Sequence, residues 1–226
     1  MNWKFLKHPA TLTTFFIIFS SLFVVVSYFL YKRCYSIEWH MINVNYGRIQ
    51  GDANLIIDKN KFIMIDAGAY NEAEKKVVPY LKERGINKIQ HFFISHPHFD
   101  HYEGMEALQN HGIKIKNVYY SLPPESIKDC CYNKHEFLKY INAAKDRGAI
   151  IHEIGEGFKL ELSGTNYLEV LYAHKTANYK NKQVSVNDLS LVMMWNVQNK
   201  KVLFTGDLNL TIGSFLAKDE RMKADI

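Results

Sequence analysis

The sequence predicts an α/β (α+β mixed) domain at 37–226, behind a single membrane-spanning helix at 11–31 and a short flank at 1–10. Three features predict it. Residues Thr11 to Tyr31 carry no charge, and Lys4, Lys7, Lys32 and Arg33 flank them. Beyond them, short β-branched and aromatic runs alternate with segments of helical apolar period. No repeat or low-complexity linker interrupts that alternation, so it reads as one domain. A chain of 226 residues, 47% hydrophobic and 23% charged with three cysteines, also excludes a disordered protein, a collagen-like fibre and a disulfide-stapled miniprotein.

The uncharged run is 21 residues long. At ~1.5 Å per residue it spans a hydrocarbon core of about 30 Å. The stretch Ser27 to Lys32 lacks the small residues of a signal-peptidase site, which favours an uncleaved anchor. Two basic residues on each side make the positive-inside rule nearly a tie, and the orientation adopted is single-pass in the cell membrane with the domain extracytoplasmic. Residues 1–36 hold four of the 28 basic residues and none of the 23 acidic ones, leaving a nearly neutral domain. The +5 balance therefore bears on membrane placement rather than on a nucleic-acid-coating surface. Cys34, Cys130 and Cys131 lack CxxC spacing and read as free thiols.

Strands are expected at 37–44, 54–58 and 61–65, bounded by Gly47, Gly51 and the turn Lys59-Asn60. Asn71 with Glu74 three residues on reads as a capping box. The helix it opens has Ala73, Val77, Tyr80 and Leu81 on its apolar face and stops at Gly85. A buried strand at 90–95, a helix at 101–110 ended by Gly112 and a strand at 114–120 follow. Asn133 and Glu136 cap a second helix reaching Arg147, with Gly148 after it. Then come strands at 149–153, 157–162 and 166–172, a polar loop at 173–187, a strand pair at 189–197 and 201–206 joined at Gln198-Asn199-Lys200, and a last helix at 210–222.

The chemistry concentrates in Ser95-His96-Pro97-His98-Phe99-Asp100-His101, at the C-terminal end of an expected strand. Three imidazoles and a carboxylate so closely spaced suit zinc, or manganese or iron, as one or two ions. The pattern HxHxDH resembles the first metal motif of the metallo-β-lactamase superfamily. Ile65-Asp66-Ala67-Gly68 resembles its early D-x-G turn, and Phe204-Thr205-Gly206-Asp207 its T-G-D motif. From about residue 39 onward the chain is similar to the extracytoplasmic domain of ComEC-type competence proteins.

That resemblance implies a four-layer αβ/βα sandwich, with the second half incomplete because the chain stops before the relatives' H-H-G-S strand. It implies His96 and His98 on a first metal, Asp100 and His101 on a second, and Asp207 as the bridge. Asp100 could also orient a hydroxide as a catalytic residue. Asn187 to Ser190 reproduces the Asn-x-x-Ser segment that replaces another histidine in that branch. Asp66 is expected either to hold the HxHxDH loop from behind or to serve as a turn residue, and Asp52, a loop acid, to be structural. His174 is a possible further ligand. Lys175, Tyr179, Lys180 and Lys182 either grip phosphate and stack a base of single-stranded nucleic acid, or form a solvated loop.

The implied activity is that of a membrane-anchored hydrolase using Zn2+ or Mn2+, phosphodiesterase or nuclease in kind, with a lactone, thioester or β-lactam as the alternative substrate. A different class is a non-catalytic binding subunit or truncated fragment that a partner chain completes. Because the second half of the sandwich is expected to be incomplete, an apolar patch should lie exposed near the last helix.

Overall fold

The computed structural model describes residues 16–28, 37–125, 127, 129–173 and 184–226. Two sheets face each other. The first has the order β1 (Ile37–Met41), β2 (Asn54–Asp58), β3 (Lys61–Ile65), β4 (Lys88–Phe93), β5 (Lys114–Tyr120) and β6 (Ile150–Glu153). Its first three strands form an antiparallel meander, and β3 to β6 run parallel. Parallel neighbours need crossover connections, and helices supply them. They are α2 (Tyr70–Glu72), a π turn (Ala73–Val77) and α3 (Val78–Glu83), then α4 (Phe99–Tyr102) with α5 (Gly104–Asn110), then α6 (Lys134–Asp146).

The second sheet is antiparallel, β7 (Lys159–Glu161), β8 (Tyr167–Tyr172), β9 (Val192–Val197) and β10 (Lys200–Phe204), in the order β10-β9-β8-β7. Side chains alternate across a strand, so each of β2 and β3 feeds two cores. Leu55, Ile57 and Met64 pack under the helices, whereas Ile56, Ile63 and Ile65 meet Leu168, Val170, Met193, Trp195 and Phe204 of the second sheet. The outer face of that sheet, through Tyr172 and Val192, takes Ile212 and Leu216 of α7 (Leu210–Leu216). The layers are therefore helix, sheet, sheet, helix, as the mixed α/β reading expects.

Several boundaries differ from the sequence reading, each for a physical reason. Asn71 does not cap its helix: the N-cap is Ala69, and the Tyr70 N–H reaches the Glu103 carboxylate at 3.4 Å. A side chain distant in sequence thus takes over the terminus. The same helix widens to a π turn just before Pro79, whose ring crowds the carbonyl four residues back and which has no N–H to donate. The expected strand at 189–197 begins only at Val192, because Asn187–Leu189 is a 3-10 turn and the Leu191 N–H is drawn to the Ser95 carbonyl at 2.8 Å. The β9–β10 hairpin turns on two residues rather than three, Gln198 and Asn199, with φ of 47° and 64°. The last helix ends at Leu216, and a 3-10 turn follows at Glu220–Met222.

Residues 16–28 form a helix, α1, and are exposed. Among the described residues no helix is long and apolar enough to cross a membrane; 11–15 and 29–31 of the expected span lie outside them. Near α7 the expected apolar surface is present: Leu210, Phe215 and Ile226 are exposed beside a groove of about 440 Å³ lined by Val192, Leu203, Leu208 and Met222.

One buried carboxylate ties the two sheets at the end remote from the histidines. Asp58, at the end of β2, accepts the Ser163 N–H at 2.8 Å and the Ser163 hydroxyl, in the loop between β7 and β8. Replacing it by alanine strands those donors, so Asp58→Ala should lower stability by about 1–3 kcal/mol. Urea unfolding of the full chain measures this; an unchanged midpoint would remove Asp58 as the tie.

Candidate metal centre

The centre lies at the C-terminal ends of parallel strands, where open α/β sheets place their ligands. Asp66 follows β3 in a left-handed conformation, φ 58°, which aspartate tolerates better than most residues. Its fully buried carboxylate accepts three hydrogen bonds: from the Ser95 N–H at 2.8 Å, the Ser95 hydroxyl at 2.6 Å and the His101 Nδ1–H at 2.9 Å. The Ala67 N–H adds a bond to the His101 carbonyl at 2.9 Å. These contacts fix the loop that follows β4.

Each histidine is held from behind. With its proton given to Asp66, the Ser95 hydroxyl receives the Nδ1–H of His96 at 3.0 Å, which leaves the His96 Nε2 lone pair pointing forward. His98 gives its Nε2–H to Asp129 at 3.3 Å and turns Nδ1 to within 3.1 Å of His96 Nε2. His101, held through Nδ1, directs Nε2 towards Asp207 Oδ1, 3.5 Å away. The Nε2 atoms of His96 and His101 therefore converge beside a carboxylate, with His98 Nδ1 set against His96.

Asp207 arrives from the second sheet, on the turn after β10. Gly206 there has φ 51°, and a Cβ on it would stand 3.0 Å from both Ser95 Cβ and Ser190 Oγ. Glycine lets the two halves close at this point without displacing either serine. Gly51 does the same on the other side: a Cβ would lie 2.1 Å from the Asp100 carbonyl oxygen. That approach brings Asp52 to the centre.

Ligand atoms of His96, His101 and Asp207 all lie within 4.8 Å of one another, and so do those of Asp52, Asp66 and His101. Asp100 and His98 are in neither set: Asp100 sits part-exposed on α4, and His98 reaches the centre only through His96. Asn187 faces His96 from the 3-10 turn. His174, Lys175, Tyr179, Lys180 and Lys182 lie outside the described residues. Sequence reasoning missed Ser95 and Asp129, the supports of His96 and His98. Ser95 adjoins the motif and was legible by position, whereas Asp129 carried no signal.

The electrostatics are those of a cation site. Burial, then the neighbouring His101 and His98, hold the His96 imidazole well below the usual histidine range. Burial also opposes charge on His101, but Asp66 and Asp207 outweigh it and raise that imidazole well above its ordinary value. Burial, reinforced by Asp66, lifts the Asp52 carboxyl to about 6. The residues fit a divalent ion: His101 Nε2, Asn187 Oδ1 and Ser190 Oγ are buried without hydrogen-bond partners, and imidazole with carboxylate is zinc or manganese chemistry. A polar cleft of about 540 Å³, lined in part by Asn43, Gln50, Asp52 and Asp207, opens beside them.

A model of the metallo-beta-lactamase superfamily matches residues 46–127. Among solved structures, a Cronobacter sakazakii metallo-beta-lactamase with a HARLDQ motif aligns at 14% identity and a TM-score of 0.52, over 88% of this chain and 79% of that one. A Thermotoga maritima protein aligns at 14% identity and a TM-score of 0.52, over 82% and 93%. The metallo-beta-lactamase MIM-2, 18% identical with a TM-score of 0.44, is covered over 53% of its length by 68% of this chain, so the chain spans about half of that relative. No curated protein matches in sequence. The domain thus has the metallo-beta-lactamase fold, and the family's match takes in the HxHxDH loop.

Because Asp66 holds both Ser95 and His101, Asp66→Asn keeps the backbone and removes the charge. Zinc affinity should fall about 10–100-fold, read by chelator competition. A wild-type affinity would dismiss Asp66 as a support. Zinc must also displace the His101 proton, so uptake at neutral pH should release protons, and affinity should decline as pH falls. Calorimetry in buffers of different ionisation enthalpy reads the proton count, and a count of zero would contradict the protonated His101.

Proposed function

We propose that this protein is a metal-dependent hydrolase acting on phosphodiesters, nuclease-like, and held in the cell membrane by residues 11–31 with its domain extracytoplasmic. The observation that carries the hydrolase reading is the convergence of His96, His101 and Asp207, with His101 Nε2 buried, without a hydrogen bond, and 3.5 Å from Asp207 Oδ1. His96, His98, His101 and Asp207 would hold the ion, with Asp100, Asp52 and His174 as further donors. A bound divalent ion supplies Lewis acidity, lowering the pKa of a water to about 7 and offsetting charge at the attacked centre.

The remaining work falls to the chain itself. Asp66 and Ser95 fix the ring orientations of His101 and His96 so that each directs Nε2 forward, His101 offering a lone pair once its proton leaves. Asp52 lines the cleft with a carboxyl lifted to about 6, so it can hold or release a proton near neutral pH. The described cleft lining contributes no lysine or arginine, and Lys175, Lys180 and Lys182 are the residues we assign to substrate charge. The phosphodiester assignment rests on the ComEC-type resemblance of the motifs.

The full chain in detergent, loaded with Zn2+ or Mn2+, should hydrolyse a bis-aryl phosphate or single-stranded DNA, and His98→Ala should lower turnover at least about 100-fold. Metal content at trace level, or turnover that survives His98→Ala, would sink the hydrolase reading; nitrocefin or lactone turnover without phosphodiesterase activity would move the substrate to the acyl class. Resistance of the native chain to alkaline extraction from membranes tests the anchor.

A further inference from the structure

A second cluster of donors stands on the rim of the centre, in the loop between β5 and α6. Cys130 and Cys131 are exposed free thiols with their sulfurs 3.0 Å apart, and their ligand atoms gather with the Asp129 carboxylate within 4.8 Å. Three further contacts define the place. Asp129 Oδ1 accepts the Cys131 N–H at 2.9 Å and the His98 Nε2–H at 3.3 Å, while Oδ2 accepts the Val186 N–H at 3.1 Å. The carboxylate therefore joins the thiol pair to a histidine of the centre and to the residue preceding Asn187.

We propose that Asp129, Cys130 and Cys131 form a second metal site, separate from the histidine centre, that takes a soft, thiophilic divalent cation of the cadmium class. Two thiolate sulfurs beside one oxygen favour a thiophilic ion more strongly than imidazole and carboxylate do, although zinc binds either donor set. Binding is balanced without an oxidant: the ion forms two metal–sulfur bonds, and the two thiol protons leave to solvent. The adjacent cysteines already present both sulfurs on one side of the loop, so little reordering is needed. Because the same Asp129 oxygen serves His98, an ion that draws on this carboxylate loosens the hold on His98, and by linkage an ion on His98 must alter affinity at the rim to the same degree. This coupling rests on His98 acting as a metal ligand; the rim site does not.

The test is a Cd2+ titration of the metal-free full chain carrying Cys34→Ser, followed by the near-ultraviolet thiolate-to-cadmium charge-transfer band, which histidine and carboxylate ligation do not produce. The band should reach the intensity of one dithiolate-bound Cd2+ per chain, vanish in Cys130→Ser and in Cys131→Ser, weaken about tenfold in midpoint with Asp129→Asn, and persist in His98→Ala. Absence of the band, its survival in the double variant Cys130→Ser/Cys131→Ser, or saturation at half an ion per chain would overturn the site. The midpoint should move several-fold when the protein is first loaded with zinc, and this shift should disappear in His98→Ala. An unmoved midpoint with the band intact would overturn the coupling alone.

Discussion

The carboxylate of Asp66 is the constraint on which the centre depends. It is fully buried, and burying a charge is tolerable only when hydrogen bonds replace water. The three it accepts come from two residues, Ser95 and His101, on either side of the HxHxDH turn. Removing the charge therefore loosens two imidazoles, since His96 Nδ1 is held through the Ser95 hydroxyl. The left-handed backbone of Asp66 belongs to the same solution: it ends β3 abruptly and turns the side chain back under the neighbouring loop. Polar burial here serves direction rather than net stability, as is usual for groups behind metal ligands.

Direction from behind is useful only if the other walls can approach, and two glycines set that distance. Gly51 lets the loop carrying Asp52 touch the backbone of Asp100, and Gly206 lets the second sheet lie against Ser95 and Ser190. The first-sheet histidines are thus built by side-chain hydrogen bonds, and the closure around them by missing side chains. The raised His101 pKa follows from both: Asp66 reaches it from below and Asp207 from the far sheet.

What the sequence made legible was local. The cap at Asn133 depends on a bond from the Glu136 N–H three residues away, at 3.1 Å, and the helix begins where that pattern puts it. Strand β5, Lys114–Tyr120, coincides with its expected range. Where the reading failed, a long-range contact decided: Glu103 displaced Asn71 as the cap, and Ser95 pulled Leu191 out of the expected strand. The site divides in the same way. His96, His98 and His101 were visible as a motif, whereas Asp129, 31 positions from His98, enters only through the folded loop. Asp100 shows the converse, since membership of a motif does not place its carboxylate with the converging ligands.

The centre is also unequal in rigidity, and this bears on how an ion would act on the fold. His96 and His101 are buried and immobilised within the first sheet's loop, while Asp207 is about one-third exposed on the second sheet. Its turn follows β10, an outer strand whose further backbone partners among the described residues are Asp225 and Ile226, which bond to Lys201 and Leu203. A cation that draws Asp207 to His101 would thus join a fixed wall to a less restrained one. Part of its binding free energy would appear as closure of the two sheets, as expected when a ligand set is completed across separate layers. At the opposite end, Asp58 makes a comparable link between the sheets with a hydroxyl and an amide as partners, and needs no ion to do so.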